Sequence, residues 1–253
     1  MTSYLRLSFL LLVSSLLMPA AARACIPVGG TEPTCSAYWK ADTVFVGVVA
    51  ASNRVPREPN ERLDTLLIRF TVEQPYRGVD TAQIEVATTA GTECDMKIEE
   101  REKWLVYARR NSTTGRLEIS ARTALYSEAD EDLSYISSVS RNAPESSIIG
   151  RVFDYPYTPW QGIKIEIRGN GLKYQGFTDK EGQVTVEVRP GRYVIRATFP
   201  AGAVPRITAE RIPSRVKDTR TSTQVEFQVD IEAGRCEYVQ FFSKPPEAKS
   251  AEH

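Results

Sequence analysis

The stretch QVTVEVRPGRYVIRATF, residues 183–199, alternates apolar and polar side chains on both sides of a Pro-Gly turn. Successive side chains of a strand point to opposite faces, so a period of two predicts strands with one face to a core and one to water. Pro190 and Gly191 make a turn between two clear strands. The same period recurs in SIIGRVFD, GIKIEIRG and VEFQVDIEAGRCEYVQFF. Earlier in the chain DTVFVGVVAAS, LDTLLIRFTVEQ, AQIEVATT, KWLVYARR and RLEISAR are strand-like, separated by polar or turn-rich stretches such as NRVPREPNER and NSTTG. A chain written this way is mostly β. SEADEDLSYISSVSR differs: Leu133, Ile136 and Val139 fall three apart behind an acidic first turn that suits a helix dipole.

The two series of strands are divided by NAPESS, a short polar stretch with a proline. The expected organisation is therefore a five-strand unit with a closing helix over residues 25–141, a linker over 142–146, and a small β-sandwich over 147–243. The tail from 244 to 253, KPPEAKSAEH, has the composition of a disordered end. Residues 200–224 form a long stretch without periodicity, carrying Arg206, Arg211, Arg215, Lys217 and Arg220 against Glu210 and Asp218. It reads as a solvated loop or, alternatively, as a docking loop for an anionic surface.

Residues 1–24 place Arg6 ahead of an apolar run from Leu7 to Met18, followed by Ala22 and Ala24 around Arg23. That is the layout of a cleavable secretory leader, with cleavage near Ala24/Cys25 and a secreted or periplasmic destination. The run is short for a spanning helix and no later stretch approaches the ~20 apolar residues a bilayer crossing needs. The whole chain has 32 basic and 32 acidic side chains, and without the leader 30 remain against 32. A near-neutral balance argues against a nucleic-acid partner, whose phosphates demand a basic face. Four cysteines, Cys25, Cys35, Cys94 and Cys236, point to disulfides in an exported protein. None forms a CxxC pair, so a zinc site of the usual spacing is not indicated, and the three possible pairings stay open.

The single histidine is His253, which removes the usual general base, the His-based triads and the HExxH zinc motif. No GxSxG elbow, Walker loop or GxGxxG fingerprint appears. The acidic clusters EADED and KIEEREK read as solvated charge runs, RGNG and TDKEG as turns, and Asn111 heads an NST sequon in form. The expectation is a non-enzymatic protein without a cofactor, acting by binding.

The ordered series CIPVGGTEPTCSAYWKADTVFVGVV, FTVEQPYRGV, VATTAGTECD and KWLVYARRNSTTGRLEISARTALYSEADEDLSYI resembles the netrin-like domain of the tissue inhibitors of metalloproteinases and its bacterial relatives. This covers residues 25 to about 139. SIIGRVFDYPYTPWQGIKIEIRGNG, followed by GFTDKEGQVTVEVRPGRYVIRATFP, is similar to the transthyretin-like regulatory domain attached to carboxypeptidases, a non-catalytic accessory module. The resemblances imply a mostly β molecule: a five-stranded OB-type barrel with a closing helix, followed by a small β-sandwich.

The first resemblance also implies a site. In those inhibitors the amino-terminal cysteine chelates a target protease's zinc through its α-amine and carbonyl oxygen, here Cys25, with Ile26 entering the adjacent pocket. An α-amine with a pKa near 8 is partly neutral at pH 7 and can donate to zinc. Thr92 and Glu93 would flank it, tied by a Cys25–Cys94 bridge that closes a loop of about 70 residues, roughly 4 kcal/mol in the chain-entropy model. The sequence departs from the family: its opening CxC pair is reduced to Cys25, with Arg23 at the first place, and a late-strand cysteine is missing near Ser120. Cys35 and Cys236 are left to join across the two units or to stay free. Three readings follow: an exported binding or structural module with a protein or cell-envelope partner, a metalloendopeptidase inhibitor acting through Cys25, and a lipoprotein anchored at Cys25.

Overall fold

The computed structural model describes residues 32–57, 63–90, 96–141, 145–154, 158–206 and 223–244. The expected leader, most of the 200–224 stretch and the tail beyond Lys244 lie outside these residues.

The first body is a barrel of β1 (Thr43–Val55), β2 (Asp64–Arg77), β3 (Gln83–Ala90), β4 (Lys103–Arg110) and β5 (Leu117–Ile119). Its pairing order runs β1-β2-β3-β5-β4, and β4 pairs back with β1 to close it. All pairs are antiparallel except β3 with β5. β1 can serve two neighbours because its register against β2 shifts at three places, and each irregularity adds bend and twist. Phe45, Val49, Ile68, Phe70, Val86, Trp104 and Val106 fill the interior. The other faces of β1 and β4 are covered as well: Val44, Val46, Leu105 and Tyr107 pack beneath two helices. Burial on both faces is why VFVGVV and WLVYA read as nearly continuous apolar runs while AQIEVATT alternates.

The covering helices are α1 (Thr34–Lys40) and α2 (Asp130–Arg141). α2 is the helix expected from spacing, with Ile136 buried and Leu133 and Val139 packed beside it. α1 precedes the first strand-like stretch and has no signal of its own: seven residues are too few to display a 3.6-residue period, and packing of Ala37 and Tyr38 on the barrel decides it. A short strand, β6 (Ala124–Leu125), extends β4.

The second body is a β-sandwich. One sheet orders β10 (Leu172–Phe177), β9 (Lys164–Gly169), β12 (Gly191–Thr198) and β14 (Gln224–Ile231). The other orders β11 (Gln183–Val188), β7 (Ser146–Asp154), β15 (Cys236–Lys244) and β13 (Val204–Arg206), with β8 (Thr158–Pro159) on β7. Ile148, Val152, Val184 and Phe241 from one sheet meet Ile165, Ile167, Ile195 and Phe227 from the other.

Alternation located these strands and the turn between two of them, but not which strands pair. The Pro190-Gly191 turn does not make a hairpin: β11 pairs with β7 and β12 with β9 and β14, so the turn carries the chain from one sheet to the other. Both strands point alternate apolar residues at one core, and a period of two is the same whether strands lie side by side or face to face. RGNG does form a hairpin, β9 to β10, with Asn170 at φ 46° and Gly171 at φ 80°, the two positive angles of a type I′ turn. In NSTTG, Asn111 Oδ1 accepts from the backbone N–H groups of Thr113 and Thr114 while its amide donates to Glu118.

Candidate functional site

Cys25, Ile26, Thr92, Glu93 and Cys94 all lie outside the described residues, as does His253. The described chain begins beside the predicted wedge, at Glu32, and shows how that entry is held. The Glu32 carboxylate meets Lys40 at 3.0 Å and Arg109 of β4 at 2.9 Å, and accepts from Ser36 at 2.7 Å. Burial pushes this carboxyl up, but Lys40, Ser36 and Arg109 together hold it below the ordinary glutamate value. Arg122, just after β5, donates to the Glu32 carbonyl at 3.3 Å and to the Thr34 hydroxyl. It also grips Asp132 of α2 with Nε and Nη2, at 2.8 to 3.1 Å. The Tyr107 hydroxyl donates to the same carboxylate at 2.8 Å, and burial, then the Asp132 charge, push that phenol far up. One of the acids in EADED is therefore structural: Asp132 is buried, whereas Glu131, which meets Arg122 at 3.3 Å, has an exposed side chain.

β3 and β5 run parallel, so the end of β3 at Ala90 and the Arg122 turn lie at the same end of the barrel. Glu32, held by Arg122, and Ala90 thus lie at one end of the barrel, while the predicted wedge residues themselves lie outside the described residues.

A second constellation spans the seam between barrel and sandwich. Cys35 of α1 is bonded to Cys236 at the start of β15, with Cα atoms 6.0 Å apart. Of the two alternatives for these cysteines, the cross-body bond is the one present. Around it two guanidinium groups contact the Trp39 ring, Arg77 of β2 at 5.1 Å from the ring centre and Arg235 at 5.0 Å. The Trp39 indole donates to the Tyr135 hydroxyl at 3.1 Å. Lys40 reaches both Glu32 and Glu237, the latter at 3.9 Å. Burial raises the Glu237 carboxyl, Lys40 opposes that, and Glu32 adds to it. The sequence offered the Cys35–Cys236 bond as one of two alternatives, but nothing in it marked the aromatic and charged side chains around that bond, which come from stretches far apart in the chain.

Among the described residues no three His, Cys, Asp or Glu side chains converge as a metal site. No described helix is long and apolar enough to cross a membrane. KIEEREK holds a turn in which the Glu102 carboxylate accepts from the Glu99 backbone and the Trp104 indole. The disulfide fits an oxidising compartment. What this geometry does chemically is hold two β bodies together by a covalent bond, ion pairs and a stacked aromatic.

No protein-family model matches the chain, and no curated protein does. Nine solved chains match, among them BcpA, the major pilin subunit of Bacillus cereus. That likeness has 12% identity and a TM-score of 0.25, covering 76% of this chain and 41% of the pilin subunit. The chain therefore spans less than half the length of that subunit, and at such a score the likeness carries no structural argument.

Proposed function

We propose that this chain is an exported, non-enzymatic binding and structural module whose barrel and sandwich act as one unit toward a protein or cell-envelope partner. The observation that carries the reading is the Cys35–Cys236 bond, which joins the two bodies where Trp39, Arg77 and Arg235 already stack. Fixing two binding bodies relative to each other removes orientational freedom before a partner is met, and preorganisation of that kind raises affinity. In this reading residues 1–24 are removed on export and the mature chain begins at Cys25. The test is isolation of the protein from envelope extracts under thiol-alkylating conditions, beside the Cys35→Ser/Cys236→Ser form. A partner retained by the native protein and weakened in the double variant is expected; no retained partner at any salt concentration sinks the reading.

A second reading, inhibition of a zinc endopeptidase through the Cys25 amino terminus, is supported by the shared barrel end at which the chain leaves Glu32 and Ala90. Seven residues separate Cys25 from Glu32, a reach of at most about 25 Å. Mature protein with a confirmed Cys25 start is then expected to inhibit zinc endopeptidases, and acetylation of its α-amine to abolish the effect. Intact mass of the unreduced exported protein distinguishes both from a lipid-anchored form at Cys25, which carries an added acyl mass.

A further inference from the structure

At one end of the sandwich three turns enclose an open groove of about 740 Å³. Asn170 and Gly171 belong to the β9–β10 hairpin, Arg189 and Pro190 to the sheet crossing, and Ala233 and Gly234 to the turn before β15. These turns are tied together. The Asn170 amide donates to the Pro190 carbonyl at 2.8 Å, and the Tyr193 hydroxyl to the Arg189 carbonyl at 2.7 Å. Ser146 accepts from Gly234 N–H at 3.0 Å and donates to the Glu232 carbonyl at 3.1 Å. A groove walled by stitched turns is preformed, and its volume lies within the range of ligand-binding clefts.

Its chemistry has two parts. Leu172 and Val188 are half-buried, packed on the sandwich core and lining the groove, and Tyr193 lines it too. Glu145 and Glu187 both line the groove, and hydrogen bonding with Glu145, then the Glu145 charge, hold the Glu187 carboxyl above its ordinary value. Among the described residues neither is in an ion pair with a lysine or arginine. A second cleft, between α1 and α2 at the disulfide, shares Glu145 and adds Glu131, so acidic groups continue along the path. Among the described residues the strands that reach the groove, β10 and β11, are each paired on one side only, leaving backbone donors and acceptors along the other edge of each.

We propose that this groove binds an extended segment of a protein partner through a lysine or arginine whose stem lies on Leu172 and Val188 and whose charged head sits between Glu145 and Glu187. Long basic side chains combine such parts: an apolar stem that covers hydrocarbon and a cationic head that stays in water. A cation between the carboxylates relieves their mutual repulsion. The free edge of β10 or β11 supplies main-chain hydrogen bonds to an extended segment, as in strand addition. The inference rests on the binding-module reading and names the chemistry of its partner.

The test uses the full mature protein and three fluorescein-labelled peptides of alternating valine with lysine, glutamine or glutamate, followed by fluorescence anisotropy. The lysine peptide is expected to bind and the glutamate peptide not to. Glu145→Gln/Glu187→Gln, at exposed positions, is expected to weaken lysine-peptide binding about tenfold, as is salt at about 0.5 M. Leu172→Ala should weaken lysine and glutamine peptides alike, and the thermal midpoint of the carboxylate variant should match the native one. Equal binding of lysine and glutamate peptides, no binding at all, or full binding by Glu145→Gln/Glu187→Gln overturns the proposal. So does displacement of the peptide by millimolar calcium without a salt effect, which assigns the pair to a divalent ion. An envelope partner that holds Glu145→Gln/Glu187→Gln as firmly as native protein overturns this proposal while leaving the binding-module reading intact.

Discussion

The barrel and the sandwich each contain an arginine–aspartate pair of nearly the same length, and the two do different work. In the barrel Arg122 meets Asp132 at 2.8 Å with side chains 13% and 7% exposed. On the outer face of the sandwich Arg192 meets Asp230 at 2.9 Å with side chains 61% and 67% exposed. The buried pair is surrounded by further partners, Tyr107, Thr34 and the Glu32 carbonyl, and joins α2 and the chain entry to the barrel. The exposed pair stands on the same two strands as Arg196 and Glu226 but apart from their ion pairs, and water competes for its contact. Distance alone says nothing of what an ion pair contributes; what each partner faces when the other is gone decides it.

The largest effect that tests this contrast is Asp132→Ala. It leaves Arg122 buried without its counter-charge and is expected to cost about 4 kcal/mol in urea unfolding. A loss below about 1 kcal/mol would show that water enters and that the two pairs are alike. Tyr107→Phe removes a single hydrogen bond to the same carboxylate and should cost about 1.5 kcal/mol, since the acceptor is charged. Asp230→Ala should cost at most about 0.5 kcal/mol and lose even that at about 1 M salt. A double-mutant cycle with Arg192→Ala measures the coupling directly.

The smallest effect concerns the two carboxylates on Lys40 and is read through its sign. Glu32 is lowered on folding, so its contribution is present above the ordinary value of 4.5 and fades as pH falls through the lowered value. Glu237 is raised, so its contribution is full below 4.5 and is lost as pH rises through the raised value. Glu32→Gln should therefore destabilise at pH 7 and be neutral in acid. Glu237→Gln should stabilise at pH 7 and be neutral in acid. Thermal melts across pH 3 to about 8 check both, and equal signs at pH 7 would contradict the assignment.

Much of the fold was legible in the sequence because burial on one face writes itself as alternation. β3, β9, β11, β12 and β14 follow from period two, and α2 from Leu133, Ile136 and Val139 behind three acids. The NG turn declared its own hairpin through the positive φ angles those residues tolerate. Less of the candidate site was legible. Trp39 and Lys40, Arg77, and Arg235 and Glu237 come from three distant stretches of the chain, and no periodicity announces a ring contacted by two guanidinium groups. The groove under Tyr193 was equally hidden, since RGNG and the Pro190 turn were visible only as separate turns.

What the sequence determined by itself was local: which stretches become strands, which becomes the long helix, and that Cys35 and Cys236 were candidates for a bond. Those properties follow from side-chain pattern and backbone preference within a few residues of each other. The tertiary structure decided which strand neighbours which, that β11 and β12 face each other across a core, and that Cys35 finds Cys236 across a separation of 201 residues. It also decided that Asp132 is buried beside Arg122 while Asp230, of the same residue type, remains in water. Pairing and burial depend on which surfaces meet in space, and chain proximity does not encode that.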